Sequence, residues 1–354
     1  MFIEMTVEQF LKEDRAIAVD VRSPIEFHEG SIPGAINLPL FSNEERAEIG
    51  TIYKHNGEEA AKWRAMQIVS PKIPYLMESI KKLGENDQVP VIHCWRGGMR
   101  SKAVCTFLEF SGIPSIKLAG GYKNYRQYIL DKVQEYFPEK AIVIHGKTGV
   151  GKTEILHQLK AKGYPVLDLE AIAGHRGSIF GSIGLGKGNN QKNFDALLFL
   201  EISKFKKAPF FLMEAESKRI GRVVQPQVLL NKKESGFHLL LETSIPNRVN
   251  HIMNEYVEPF YKFPWFKEQV QKGIEKITKR LHVNSQKDIQ QCLFAEDWFT
   301  LIQKLLEDYY DPRYDYKRSD YKGEFINLKF ESIDKAVEEI EKYLLHIENS
   351  IKIF

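Results

Sequence analysis

Cys94 stands in the stretch VIHCWRGGMRS (Val91–Ser101), preceded by His93 and followed by Arg96, by Arg100 after five intervening residues, and by the hydroxyl of Ser101. Gly97 and Gly98 let the backbone curl so that successive N–H groups converge on the sulfur. Ser101 is expected to cap a helix beginning SKAVCTFLEF. A sulfur that faces amide dipoles, a helix N-terminus and the guanidinium of Arg96 or Arg100 favours the thiolate over the thiol. The remaining cysteines, Cys105 and Cys292, fall in apolar helical stretches and read as packing residues.

A second constellation follows in IHGKTGVGKT. Gly146, Lys147, Thr148, Gly149, Val150, Gly151, Lys152 and Thr153 fit the phosphate-loop pattern in full, between an apolar run (AIVI) and a helical pattern (EILHQLKAKG). Backbone N–H groups from Lys147 to Thr153 can wrap a diphosphate, Lys152 supplies a point charge, and Thr153 can reach a magnesium ion. Downstream, Glu214 and Glu216 close an apolar strand, where an acid can hold an ion or act as a base. Asp168 and Glu170 are expected at the end of another short strand. The 24 residues Ala171–Phe194 then contain no acid and six glycines, and carry His175, Arg176, Lys187 and Lys192. Such a segment reads as a mobile loop able to close over an anion. Lys218, Arg219, Arg222, Lys232 and Lys233, with no acid between Ser217 and Lys233, are RNA-contact candidates, and Arg248 is a weaker phosphate-contact candidate.

These residues need strand ends to hold them. AIAVDV and VPVIHC read as buried parallel strands, and SIKLAGG as a strand running into a glycine turn. PYLMESIKKLG reads as a helix stopped at Gly84. The alternation predicts an α/β first domain over residues 1–125, a helical linker over 126–138, and a second α/β domain over 139–354 whose C-terminal part is largely helical. At 354 residues and 43% hydrophobic composition the chain can build two cores. The net charge is only +3, and the basic excess falls after Pro138 (33 basic against 29 acidic residues), so any RNA surface must be a local patch. Three scattered cysteines suit neither a disulfide framework nor a zinc site. Neither a signal peptide nor an apolar run long enough for a membrane is read, and a soluble, cytoplasmic protein is expected.

DVRSPIEFHEGSIPGAINLPL (Asp20–Leu40), followed by the cysteine loop, resembles rhodanese-like domains, and the Cys94-to-Arg100 spacing is shared with phosphatases of rhodanese-like fold. The resemblance implies that Cys94 carries sulfur or another chalcogen and that Asp20 and Arg22 hold the fold near the site. With the phosphate loop, LDLEAIAGHRGSIFG, MEAESKRIGRV, LAGGYKNYR and YYDPRYDY, the chain resembles the bacterial tRNA 2-selenouridine synthases. That implies a rhodanese-like domain followed by a P-loop domain, and a substrate tRNA bearing wobble 2-thiouridine. It further implies geranylation of the sulfur with geranyl diphosphate, then replacement of the S-geranyl group by selenium from selenophosphate, supplied by its own synthase. No tightly bound cofactor is implied, with magnesium as an optional ion. No apolar prenyl tunnel and no aspartate-rich prenyl motif is visible. An ATP-dependent RNA sulfurtransferase or kinase is the alternative, followed by a phosphatase fused to a nucleotide sensor.

Overall fold

The computed structural model describes residues 2–85, 87–314, 321–322 and 325–351, with side chains to 347. Asp315 and Tyr316 of YYDPRYDY lie outside the described residues. The chain divides into two compact units, Met1–Glu135 with Lys192–Leu200, and Tyr136–Gln191 with Glu201–Phe354.

The first unit is built on β1 (Ile3–Met5), β2 (Ala16–Asp20), β3 (Ile36–Asn37), β4 (Val89–His93) and β5 (Ile116–Leu118). They pair in parallel in the order β1-β5-β4-β2-β3. Val91 and Ile92 are fully buried, as a central parallel strand covered by helices on both faces requires. Their core includes Val19, Leu76, Ile80, Val104 and Leu108. Since β4 is central, its carboxyl end delivers Cys94 to the middle of the sheet edge where ligands gather.

Three expectations shift in this unit. The helix after β4 begins at Met99 with Gly98 as its N-cap, so Ser101 sits inside its first turn. The helix expected to stop at Gly84 runs over Ile73–Glu85. The stretch read as a linker is the second half of one continuous helix, Gly121–Tyr136. A long helical segment, Asn43–Val69, bent where Gly57 leaves helical geometry (φ 88°, ψ 177°), was not anticipated.

The second unit carries β6 (Lys140–Gly146), β7 (Val166–Leu167), β8 (Phe210–Glu214), β9 (Arg219–Ile220), β10 (Val223–Val224), β11 (Phe237–Glu242) and β12 (Phe325–Lys329). A parallel sheet runs β12-β11-β6-β8-β7, and β9 and β10 form a small antiparallel hairpin. From β6 the chain builds β7 and β8 on one side and then crosses to β11 and β12 on the other, which opens a crevice at the carboxyl end of β6. A sheet core around Ile142, Ile144, Leu212 and Leu239 is accompanied by a second, helical core. The latter gathers Phe266, Val270, Ile274, Leu301, Leu305 and others from the helices Ile245–Ile252, Pro264–Thr278, Val283–Ala295 and Trp298–Leu305. No described helix is long and apolar enough to cross a membrane.

Candidate functional site

In the first unit, Cys94 is buried, and its Sγ lies 3.3 Å from the Ser101 hydroxyl, which also donates to the Gly98 carbonyl at 3.2 Å. The predicted cap is thus a hydrogen-bond partner of the sulfur. Arg100 points its fork at Glu26, with Nη1–Oε2 at 2.5 Å and Nη2–Oε1 at 3.0 Å. Burial alone would raise the Glu26 carboxyl, but Arg100 outweighs it and holds the group below its ordinary value. Arg96 is exposed. Of the two candidate guanidinium groups, Arg100 is committed to a partner and Arg96 is the one turned to solvent.

The loop is fixed from beneath. Tyr122 and Lys123 donate backbone bonds to the carbonyls of Cys94 and Trp95 at 2.9 and 2.8 Å, and Lys117 Nζ donates to the Gly97 carbonyl at 3.1 Å. Gly121 has φ +60°, and a Cβ there would stand 2.3 Å from the Cys94 carbonyl oxygen, so this position takes only glycine. Asp20 and Arg22 form a buried pair (Oδ2–Nη2 2.6 Å). The Arg22 guanidinium also donates to the Gly30 carbonyl and lies over the Tyr122 ring at 4.2 Å. His93 is wholly buried, and neither ring nitrogen has a hydrogen-bond partner. Burial pushes its pKa down to about 4, so it remains neutral. Lys192 opens the helix Gln191–Ser203 instead of belonging to the glycine-rich loop, and its ammonium lies 5.9 Å from the Trp95 ring. Burial pushes the Cys105 thiol up to about 11, consistent with a packing role. Cys292 is half-buried, less enclosed than its apolar helix suggested.

In the second unit, residues Gly146–Thr153 wrap the crevice at the end of β6. Lys152 Nζ donates to the Gly146 carbonyl at 3.0 Å, and the Gly146 N–H donates to Tyr314 Oη at 2.6 Å. The outer side of the loop is braced. Arg248 Nε donates to the Thr148 carbonyl at 2.9 Å while its fork grips Asp311 at 2.6 and 2.8 Å. His251 Nδ1 donates to the Gly149 carbonyl at 2.9 Å, and Lys147 lies 3.4 Å from Asp311. Arg248, expected on phosphate, is therefore a buried brace for the loop.

Thr153 Oγ1 donates to Glu214 Oε1 at 3.0 Å and is 3.4 Å from Glu170 Oε2. Glu170, Glu214 and Glu216 each offer an oxygen within 4.8 Å of the others. Burial first, then repulsion between these carboxylates, raises Glu170; burial also raises Glu214, against the pull of Lys152. Hard oxygen donors crowded beside a phosphate loop fit a divalent cation such as magnesium. The short strand expected before Asp168 is β7, which ends at Leu167, but Glu170 lies beyond it in a helix. Asp168 caps the short helix Leu169–Ala173 by accepting from Ala171 N, receives His157 at 2.8 Å, and puts Glu170 in the helix's first turn.

Residues of the glycine-rich segment fold over this crevice. Arg176 is held by Glu255 at 2.6 Å and lies 4.7 Å from the Tyr256 ring. Burial lowers the pKa of His175. Gly174, Arg176, Gly177, Ser178, Phe180 and Ile183 of this segment line a cavity of about 1070 Å³, and His175 is not in its wall. Its lining joins Lys152, Thr153, Glu170, Glu214 and Glu216, with Asp168, Arg176 and Glu255, to an apolar set that includes Phe180, Ile183, Phe266, Val270, Leu301 and Leu305. The turns Met253–Val257 and Leu306–Tyr310 are π-helical, and both contribute to its wall. Widened turns of this kind are frequent at functional sites.

The basic run divides. Lys218, Arg219 and Arg222 are exposed on the β9–β10 hairpin. Lys232 instead donates to the Glu139 carbonyl at 3.1 Å. Lys233 is buried and donates to the Glu216 carbonyl at 2.6 Å, tying the acidic strand end in place. Neither of these two belongs to an exposed patch. Sequence reasoning passed over Glu26, Tyr122, Glu255, Tyr256, Asp311 and Tyr314; Glu26, Tyr122, Asp311 and Tyr314 had a signal, lying in DVRSPIEFHEGSIPGAINLPL, LAGGYKNYR and YYDPRYDY.

Residues 139–346 match the model of the tRNA 2-selenouridine synthase AAA domain, and residues 6–128 that of the rhodanese-like domain. A tRNA 2-selenouridine synthase of Pseudomonas syringae is 33% identical over 85% of this chain and 88% of its own length. One from Hydrogenovibrio crunogenus is 31% identical over 88% and 93%. One from Bdellovibrio bacteriovorus is 35% identical over 68% of this chain, which spans 64% of that relative.

Proposed function

Because the chain belongs to the tRNA 2-selenouridine synthase family, we propose that it modifies the wobble 2-thiouridine of tRNA in two steps, geranylation and then selenation. In the first step the thiouridine sulfur attacks C1 of geranyl diphosphate. The C1–O bond breaks, diphosphate leaves with the electron pair, and the base gives up its N3 proton. In the second, selenium from selenophosphate attacks C2, the phosphoryl group passes to water, and the geranyl thiolate leaves and takes a proton. N3 regains its proton in the 2-selenouridine. Alkylation turns a poor sulfur leaving group into a good one, and that makes exchange at C2 feasible.

One observation carries the reading: the cavity that the phosphate loop lines also has a substantial apolar wall, with Phe180, Ile183, Phe266, Val270, Leu301 and Leu305 in it. Nucleotides present polar bases and sugars, whereas geranyl diphosphate is an anion on a hydrocarbon chain and matches both parts of this lining. Lys152 and the loop amides would stabilise the departing diphosphate. Thr153, Glu170 and Glu214 would hold a magnesium ion, whose contribution is charge neutralisation. Cys94, with Ser101 at its sulfur and Arg96 open to solvent, is assigned to selenium handling. Lys218, Arg219 and Arg222 are assigned to tRNA phosphates.

The test is nucleoside mass spectrometry of 2-thiouridine tRNA incubated with the protein and geranyl diphosphate, then with selenophosphate. A geranyl mass gain followed by conversion to the selenium product is expected. Unchanged tRNA together with Lys152-dependent ATP turnover would replace this reading with the nucleotide-dependent one.

A further inference from the structure

The cavity wall changes abruptly along the helix Pro264–Thr278. Phe266 and Val270 lie one turn apart on the same face and both belong to the wall. That face continues through Gly273, Ile274 and Ile277. Ile274 and Ile277 are buried in the surrounding helical core and take no part in the lining. Gly273 is absent from the wall as well, and Phe180 of the glycine-rich segment, which is part of the wall, packs on it. A Cβ on Gly273 would stand 2.2 Å from Phe180 Cε1 and 2.5 Å from Cδ1, so the ring fills the space a side chain would need. Gly273 is helical and has no positive φ, so its backbone does not call for glycine; the seated ring does. Four residues beyond Phe180, the segment is fixed again, where the Phe260 ring packs onto Gly184 with Cζ 2.2 Å from a built Cβ. Arg176, four residues before Phe180, is anchored on Glu255.

We propose that Phe180, seated on Gly273, is the end stop of an isoprenoid-chain site and sets the chain length that the enzyme transfers. The proposal rests on the geranyl diphosphate reading. With the diphosphate fixed at Gly146–Thr153 and C1 bonded to it, every added isoprene unit extends the ligand only into the apolar part of the cavity. An aromatic ring pinned between a helix and a short-tethered segment cannot yield as a flexible side chain would. Five further carbons then meet the ring, and the longer diphosphate is rejected. The residue acts through van der Waals contact with the chain and takes no part in bond breaking.

The experiment offers equal concentrations of geranyl and farnesyl diphosphates to the full-length protein with 2-thiouridine tRNA and reads the two products by mass spectrometry. Phe180→Ala and the milder Phe180→Leu are expected to raise the farnesyl-to-geranyl ratio about tenfold or more, on the scale that one misfit group changes pocket discrimination. Gly273→Ala drives the ring into the cavity, and is expected to lower geranyl transfer and shift preference toward dimethylallyl diphosphate. A wild-type product ratio in Phe180→Leu that melts as wild type overturns the proposal while leaving geranyl transfer intact. Absence of prenyl transfer by the wild-type protein instead overturns the geranylation reading itself.

Discussion

Lys152 and Cys94 sit in separate constellations, the first assigned in the proposed function to a diphosphate and the second to selenium, and their loss should separate the two proposed steps. Lys152→Ala is expected to slow geranyl transfer by about a hundredfold or more, as loss of one preorganised charge at a leaving group does, while selenation of pre-geranylated tRNA persists. Cys94→Ser should show the reverse pattern in the same assay; loss of geranylation alone in that variant contradicts the division. The acidic trio gives a second handle at this scale. Glu170 and Glu214 are raised above the ordinary carboxylate value, near pH 4.3, mainly by burial. Above that value the folded chain binds more protons than the unfolded one, so stability falls as pH rises through the raised range. Glu170→Gln removes one titrating group and its repulsion. Its melting temperature is expected to fall less than that of wild type between about pH 5 and about pH 9. Magnesium should raise the wild-type value at the upper end and the variant's less.

At the scale of elements, both loops are shaped by neighbours distant in sequence. The Cys94 loop rests on the glycine turn that starts the helix Gly121–Tyr136, and Gly121 has no room for a Cβ. Gly121→Ala should cost about 1–3 kcal/mol for the left-handed backbone alone, seen as a lower urea midpoint. Selenation should fall further than geranylation, because the displaced atom is the Cys94 carbonyl. The phosphate loop is braced by Arg248 and Asp311, 63 residues apart. Neither expectation, Arg248 on phosphate or a strand end at Glu170, foresaw this. A guanidinium beside a glycine loop has the same sequence pattern whether it meets ligand or carboxylate. Immediately after β7, the capping oxygen of Asp168 turns the chain into a helix.

At the scale of the whole molecule, the tRNA proposed as substrate would have to be held without a strongly charged surface, since the net charge is +3. The hairpin trio Lys218, Arg219 and Arg222 is the patch assigned to that task. Replacing all three by alanine should weaken tRNA binding and make the slope of log Kd against log salt shallower by about 2–3, near one unit per lost phosphate contact. An unchanged slope would move the RNA surface elsewhere. Replacing Lys232, which is tied to a backbone carbonyl, should leave the slope as it is.

The sequence by itself determined two α/β units, the strand ends that carry Cys94 and Gly146–Thr153, and the family resemblance. Strand burial and glycine loops are local patterns, read within ten or so residues. Tertiary structure alone decided which cation is free and which is paired: Arg96 against Arg100, Lys218 against Lys233. It also produced the cavity and the apolar part of its wall. Phe266, Leu301 and Leu305 have the spacing of ordinary core residues, and an amphipathic helix looks the same whether its face meets another side chain or an empty space. The packing of Phe180 on Gly273, 93 positions away, likewise follows from the tertiary fold, because no local pattern links a ring in a glycine-rich segment to a glycine in a helix.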